Sequence, residues 1–149
     1  PAARRGGHIP RTPRAARTAF TGRPAAVRAP FSIMDVSCVL SYHESLSYAC
    51  REAMSLGCPA IVTRVGGLPE NVEPGVDGWV VPPREPEAIG EILRAIVREP
   101  ACLRAMGRSA RLKGKREFSF ERFIDATLFV YQKSIRHNPN RRVTSLRSV

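Results

Sequence analysis

The sequence lacks the features of a membrane-spanning, secreted or metal-bound protein. No apolar run approaches the ~18 residues needed to cross a bilayer, and the arginine-rich beginning contains no apolar segment typical of a secretory signal. The four cysteines form no C-x-x-C motif and no cysteine–histidine spacing typical of zinc; they are Cys38, Cys50, Cys58 and Cys102. We therefore expect reduced thiols, no bound metal and a cytoplasmic location, with peripheral membrane association kept open.

Acidic residues are absent from both ends of the chain. Residues 1–30 contain seven arginines and residues 133–149 contain five basic residues, whereas all 13 acids lie in 31–132 beside the remaining 12 of 24 basic residues. The net charge of +11 therefore comes from the ends. Because 1–30 also has few large apolar side chains, we predict a disordered Arg/Pro/Ala-rich tail there, a folded domain over 31–132 and a basic tail over 133–149.

Nucleic-acid recognition finds little support in the middle of the chain. That region has no basic stripe with interleaved aromatic residues, no helix-turn-helix and no RNA-binding signature. Specific nucleic-acid binding is therefore not expected. Nonspecific polyanion binding through the basic ends stays open as an alternative function.

Three short apolar segments, at 35–40, 59–63 and 79–81, have the composition of strands buried in a parallel sheet. Between the first two, the pattern predicts a helix over 46–56, capped by a serine of the preceding loop and stopped by Gly57. Further helices are predicted to start at Pro69 and to span 86–98, 100–115 and 120–135. This order indicates an α/β fold, a partial Rossmann-like parallel sheet of about three strands with flanking helices.

Three strands are few for an open sheet of this kind, which normally has five or more. An apolar sheet of three leaves an unpaired edge and uncovered faces. The chain also begins with Pro1 rather than methionine. We therefore expect a fragment that corresponds to the back half of a Rossmann-type domain.

The loop and helix start at Ser45-Leu46-Ser47 follow the carboxyl end of a predicted parallel strand, where ligands bind in open α/β folds. Backbone N–H groups and the helix dipole make such an end suitable for a phosphate. Two carboxylates, Glu44 and Glu52, flank it, and carboxylates accept hydrogen bonds from sugar hydroxyls. From the residues by themselves, a dipole-stabilising or capping acid is the favoured interpretation of Glu44, and a solvated helix face stays open for Glu52.

Several blocks of sequence together resemble a known family. They are Glu44-(seven residues)-Glu52-Ala53-Met54, Gly57-x-Pro59, Gly66-Gly67-Leu68-Pro69-Glu70 and the segment 75–82. Their order and spacing over about residues 33–130 are similar to the carboxyl-terminal, donor-binding domain of GT-B glycosyltransferases of family 4 (glycosyl transferases group 1). The resemblance implies the C-terminal half-domain of a GT-B fold that binds a nucleotide-diphosphate-sugar.

The resemblance also implies roles for individual residues. Glu44 would lie beside the donor sugar as the catalytic carboxylate that orients it, and Glu52 would bind the ribose hydroxyls. The backbone of Ser45, Leu46 and Ser47 would meet the diphosphate and sugar. A loop beside the donor pocket would be formed by Gly66, Gly67 and Glu70.

Family 4 enzymes are retaining and generally need no metal, so the resemblance implies no cofactor beyond the nucleotide-sugar co-substrate. The acceptor, whether glycan, lipid or small metabolite, is not specified. The basic pair that grips the diphosphate belongs to a segment upstream of Asp35, which residues 1–30 do not resemble. With that segment and the amino-terminal domain missing, we expect this chain to be inactive by itself. A non-catalytic module that docks a partner chain is the alternative from a different class.

Overall fold

The computed structural model describes Thr18 and residues 28–137. In these residues three strands alternate with helices, and three longer helices end the described chain. The elements are α1 (Arg28–Ile33), β1 (Ser37–Val39), α2 (Tyr48–Ser55), β2 (Ala60–Thr63), α3 (Leu68–Asn71), β3 (Gly78–Val81), α4 (Pro86–Arg98), α5 (Ala101–Glu117) and α6 (Phe120–His137).

The three strands form one parallel sheet in the order β1-β2-β3. The middle strand β2 is buried along its whole length, which explains its run of apolar and β-branched residues. Register pairs Cys38 with Ile61 and Ile61 with Trp79. The predicted α/β class with a three-stranded, partial Rossmann-like sheet is therefore confirmed.

Helix α2 is the packing centre of the described chain. Its side chains Cys50, Ala53 and Met54 are fully buried. Helix α5 packs against α2 and contributes the buried residues Ala110 and Gly114. The helix stops where the sequence predicts, because Gly57 adopts φ 88° and its N–H donates to the Met54 carbonyl at 2.9 Å. Burial of this face fixes α2 over the sheet and leaves its first turn at the carboxyl end of β1.

The predicted start of α2 and its predicted capping residue both differ from the structure. The helix begins at Tyr48 rather than residue 46, and Ser47 caps it instead of a serine from the 41–45 loop. The reason is tertiary: the Leu46 carbonyl accepts a hydrogen bond from the Asn71 side chain, which holds the chain outside a helical path.

The ends of the domain also differ from the predicted bounds. Helix α1 begins at Arg28, within the predicted 1–30 tail, and α6 continues to His137, within the predicted 133–149 tail. Residues 1–17, 19–27 and 138–149 lie outside the described residues, so for them the tail assignments stay predictions.

Helix α6 is unusual because none of its residues is buried. The predicted apolar stripe of Phe123, Ile124, Leu128 and Tyr131 is present but exposed, as are several other apolar side chains of the helix. Over residues 28–137, no helix is both long and apolar enough to cross a bilayer. The same residues contain no cluster of three or more His, Cys, Asp or Glu that could hold a metal ion.

Candidate functional site

The loop between β1 and α2, residues 40–47, is fastened to the rest of the domain at three carbonyl groups. The Thr63 hydroxyl donates to the Ser41 carbonyl at 2.6 Å, at the end of β2. The Gly67 amide donates to the Ser45 carbonyl at 2.7 Å. The Asn71 side-chain amide donates to the Leu46 carbonyl. These bonds place the loop at the carboxyl edge of the sheet.

Ser47 joins this loop to α2 in a strained conformation. Its φ of 61° and ψ of 101° are rare for a residue with a side chain, and its hydroxyl accepts a hydrogen bond from the Cys50 amide at 3.4 Å. Strained residues of this kind concentrate at functional sites. The capping bond satisfies one of the amides that the first helical turn leaves unpaired.

Gly66 and Gly67 pack directly against the backbone of the 40–47 loop. A Cβ atom at Gly66 would lie 1.8 Å from the Glu44 carbonyl oxygen, and one at Gly67 would lie 2.4 Å from the Ser45 carbonyl oxygen. Side chains at either position would therefore push the loop off the sheet. This close approach gives the two glycines a steric reason at the place where the resemblance puts a pocket-shaping loop.

Glu44 lies at the edge of a cavity of about 330 Å³ that the helix start forms together with its preceding loop. One oxygen of its carboxylate accepts a hydrogen bond from the next amide, Ser45, at 3.0 Å. The cavity is lined by Glu44, Ser45, Leu46, Ser47, Tyr48 and Arg51. The structure thus brings the first predicted carboxylate and the three predicted backbone positions together.

Glu52 opens into a different and larger space. It is exposed and lines a cavity of about 800 Å³ between α2 and the first turns of α6. This cavity shares the residues Leu46, Tyr48 and Arg51 with the smaller one. The two glutamates therefore line neighbouring cavities that meet at the first turn of α2. Glu70, the last predicted site residue, is exposed on α3.

Arg51 and Asn71 are site neighbours that sequence reasoning missed. The Arg51 Nε atom donates to the Asn71 side-chain oxygen at 2.8 Å, and its guanidinium lies 4.7 Å from the ring centre of Phe118. Asn71 is fully buried. The one signal in the sequence is a polar amide directly before the apolar Val72, at a position that otherwise looks like part of a turn.

The buried cysteines are not reactive groups at this site. Burial raises the pKa of the Cys50 thiol to about 11 and also raises the pKa of Cys58. A thiol with a raised pKa is protonated near neutral pH and is a poor nucleophile. The groups available for ligand binding are therefore carboxylates, hydroxyls, backbone amides and the Arg51 guanidinium.

Comparison with known proteins identifies a match over most of the chain. The family model described as glycosyl transferases group 1 matches residues 15–113. A D-inositol 3-phosphate glycosyltransferase from Saccharomonospora viridis is 35% identical over 101 residues, which are 68% of this chain and 23% of that protein. An MMP alpha-(1->4)-mannosyltransferase from Mycolicibacterium hassiacum is 32% identical over 102 residues, 68% of this chain and 25% of that protein. The chain thus spans about a quarter of the length of these relatives.

Solved structures agree with the fold. Sucrose-phosphate synthase from Thermosynechococcus elongatus superposes with a TM-score of 0.66 at 30% identity, over 72% of this chain and 27% of that one. The Anabaena protein HepE, solved in complex with UDP and glucose, superposes with a TM-score of 0.70 at 22% identity, over 78% of this chain and 32% of that one. The second likeness shows the fold only.

Proposed function

This chain belongs to the glycosyl transferases group 1 family, and we propose that it forms the donor-binding half of an enzyme that transfers a sugar from a nucleotide-diphosphate-sugar. Its named relatives are glycosyltransferases, and HepE has been solved with UDP-glucose, with UDP, and with UDP and glucose. The observation that carries the proposal is the fastened loop at the start of α2, with Glu44 and residues 45–47 around one cavity.

The diphosphate of the donor binds at the first turn of α2. The N-terminus of a helix offers unpaired N–H groups and a positive dipole end, both of which favour a negatively charged group. In a transfer reaction the same groups stabilise the charge that develops on the departing nucleotide diphosphate. This assignment requires no metal ion, in keeping with the metal-free chemistry implied by the resemblance.

Glu44 orients the donor sugar and Glu52 binds the ribose from the neighbouring cavity. Because one Glu44 oxygen accepts the Ser45 amide, a sugar hydroxyl binds either the second oxygen or displaces that amide. The transfer proceeds with retention of configuration, and the carboxylate positions the sugar rather than attacking it. The acceptor remains a glycan, a lipid or a small metabolite.

A further domain completes the enzyme. Residues 31–132 supply the donor side, an amino-terminal domain supplies the acceptor side, and a segment upstream of Asp35 supplies the basic pair that grips the diphosphate. The proposal is supported by the quarter-length match to the named relatives and by the exposed apolar face of α6. The chain without that domain is expected to bind donor weakly and to transfer no sugar.

The test is calorimetric titration of the chain with UDP-glucose, UDP-N-acetylglucosamine and GDP-mannose. Saturable binding of at least one of them is expected. Replacing Glu52 by Gln removes a charge-assisted hydrogen bond and should weaken that binding about tenfold or more. Glu91→Gln, on the exposed side of α4, is the matched control and should leave it unchanged. No binding to any of the three, or equal binding by the Glu52 variant, would overturn the proposal.

A further inference from the structure

Two residues of the segment 66–71, Gly67 and Asn71, fix the orientation of the Leu46 and Ser47 backbone amides. Gly67 donates to the Ser45 carbonyl and Asn71 donates to the Leu46 carbonyl, so both carbonyls face the segment 66–71. In a trans peptide the N–H points opposite to the carbonyl of the same unit. The Leu46 and Ser47 N–H groups therefore point away from that segment.

These two amides are available to a ligand. In the part of the chain that the structure describes, neither the Leu46 N–H nor the Ser47 N–H donates a hydrogen bond to another group. Both residues line the 330 Å³ cavity beside Glu44, whereas Asn71 lies outside that lining. The side chain that sets the peptide orientation thus acts from behind the cavity.

Asn71 has one orientation that satisfies its surroundings. The Arg51 guanidinium is a donor only and the Leu46 carbonyl is an acceptor only. The Asn71 oxygen must therefore face Arg51, at 2.8 Å, and its NH₂ group must face Leu46. Since Asn71 is fully buried, a flipped amide would lose both bonds without compensation from water. Arg51 is itself held by its stacking on Phe118.

We propose that Asn71, oriented by Arg51, is a positioning residue that turns the Leu46–Ser47 peptide so that its N–H binds the donor diphosphate. The inference rests on the proposed function and adds to it Asn71, which does not line the donor cavity. If Asn71 is a positioning residue rather than one that only stabilises the fold, its substitution must weaken anion binding more than it lowers the stability of the fold.

Two variants of Asn71 remove the donated bond in different ways. Asn71→Asp keeps the acceptor for Arg51 and gains an ion pair, but places a second acceptor against the Leu46 carbonyl. Asn71→Leu removes the bond without adding charge. We expect UDP to bind about tenfold more weakly to both, and the ¹⁵N–¹H resonances of Leu46 and Ser47 to shift. If Asp weakens binding and Leu does not, the cause is charge and the proposal is wrong.

A remote control separates orientation from stability. Asp77→Asn breaks the buried ion pair with Lys113, whose atoms lie 3.4 Å apart. It should lower stability in urea without changing the dissociation constant of UDP.

The outcomes also separate this inference from the proposed function. If the wild-type chain binds no UDP, the site does not take this nucleotide, and the amide resonances of the free chain test the inference instead. Unchanged Leu46 and Ser47 signals in both Asn71 variants then overturn it. If the wild type binds, Asn71 variants within twofold of its affinity overturn the inference and leave the proposed function intact. Equal weakening by Asp77→Asn would show an effect of stability and would also overturn it.

Discussion

Ser47 shows two opposed effects in one residue. Its positive φ costs about 1 kcal/mol or more for a residue with a Cβ atom, while its hydroxyl caps α2 through the Cys50 amide. Replacing an N-cap serine by alanine costs about 1 kcal/mol, but replacing it by glycine costs a few tenths.

The substitutions of Ser47 should therefore have opposite signs. Ser47→Ala keeps the strain and loses the cap, so its free energy of unfolding should fall by about 1 kcal/mol. Ser47→Gly relieves the strain and should gain about 0.5–1 kcal/mol. Urea unfolding of both variants measures the difference. A glycine variant less stable than the alanine variant would show that the conformation at 47 is not strained.

Cys50 makes the stability of the fold depend on alkaline pH. Burial raises its pKa from 9.0 to about 11 in the folded chain, so the unfolded chain loses this proton first. The stability that the protonated Cys50 thiol contributes is fully present below pH 9 and is lost as the pH rises toward 11. Over that window the free energy of unfolding should fall by about 2–3 kcal/mol.

Denaturant unfolding at pH 8, 9, 10 and 11 tests this dependence. The Cys50→Ala variant should lose less stability over the same range and retain a smaller slope from Cys58, whose pKa burial also raises. Identical slopes in the wild type and the variant would mean that the Cys50 thiol does not control the alkaline loss.

At the scale of elements, the contact between α2 and α5 depends on small residues. A Cβ atom at Gly114 would lie 2.6 Å from the Ser55 hydroxyl oxygen and 2.7 Å from the Ser55 Cα atom, whereas one at Gly90 in α4 would meet the mobile end of Arg94 at 3.3 Å. The same substitution should therefore have opposite effects in the two helices.

Gly114→Ala should destabilise the fold by about 1–3 kcal/mol, because the clash separates two packed helices and outweighs the gain in helix propensity. Gly90→Ala should stabilise it by about 0.5–1 kcal/mol through propensity. Thermal unfolding of the two variants gives the comparison. If both variants gain stability, α2 and α5 are not in close contact at Ser55.

The elements that sequence predicts well are those whose signals are local. Helix α4 spans 86–98 as predicted, because Pro86 begins it and its apolar residues repeat along its own length. The start of α2 was missed because Asn71, which is 25 positions away from Leu46, decides it. The exposure of α6 was equally unpredictable, since its stripe has the pattern of a buried helix.

The candidate site divides in the same way. Glu44 and Ser45-Leu46-Ser47 share a cavity because they are consecutive, which the sequence makes visible. That Glu52 lines the neighbouring cavity depends on where the start of α6 lies relative to α2, and the Arg51–Asn71 contact joins two separate helices. Neither feature has a signal in local periodicity.

At the scale of the whole molecule, the chain corresponds to one part of its named relatives. It spans about a quarter of their length, and among the described residues it exposes the apolar side chains of α6. Contiguous exposed apolar surface is typical of a site that contacts another protein, a membrane or a ligand. The proposed donor site nevertheless lies within one continuous stretch, so the chain itself is sufficient to test it.

The most direct measurement is a ¹H–¹⁵N NMR titration of the ¹⁵N-labelled chain with UDP-glucose. We expect the largest shifts on the amides of 44–48 and 52, smaller shifts in 66–71 and no shifts in α4. Saturating shifts centred on other residues, with the amides of Leu46 and Ser47 unchanged, would contradict a diphosphate site at the start of α2.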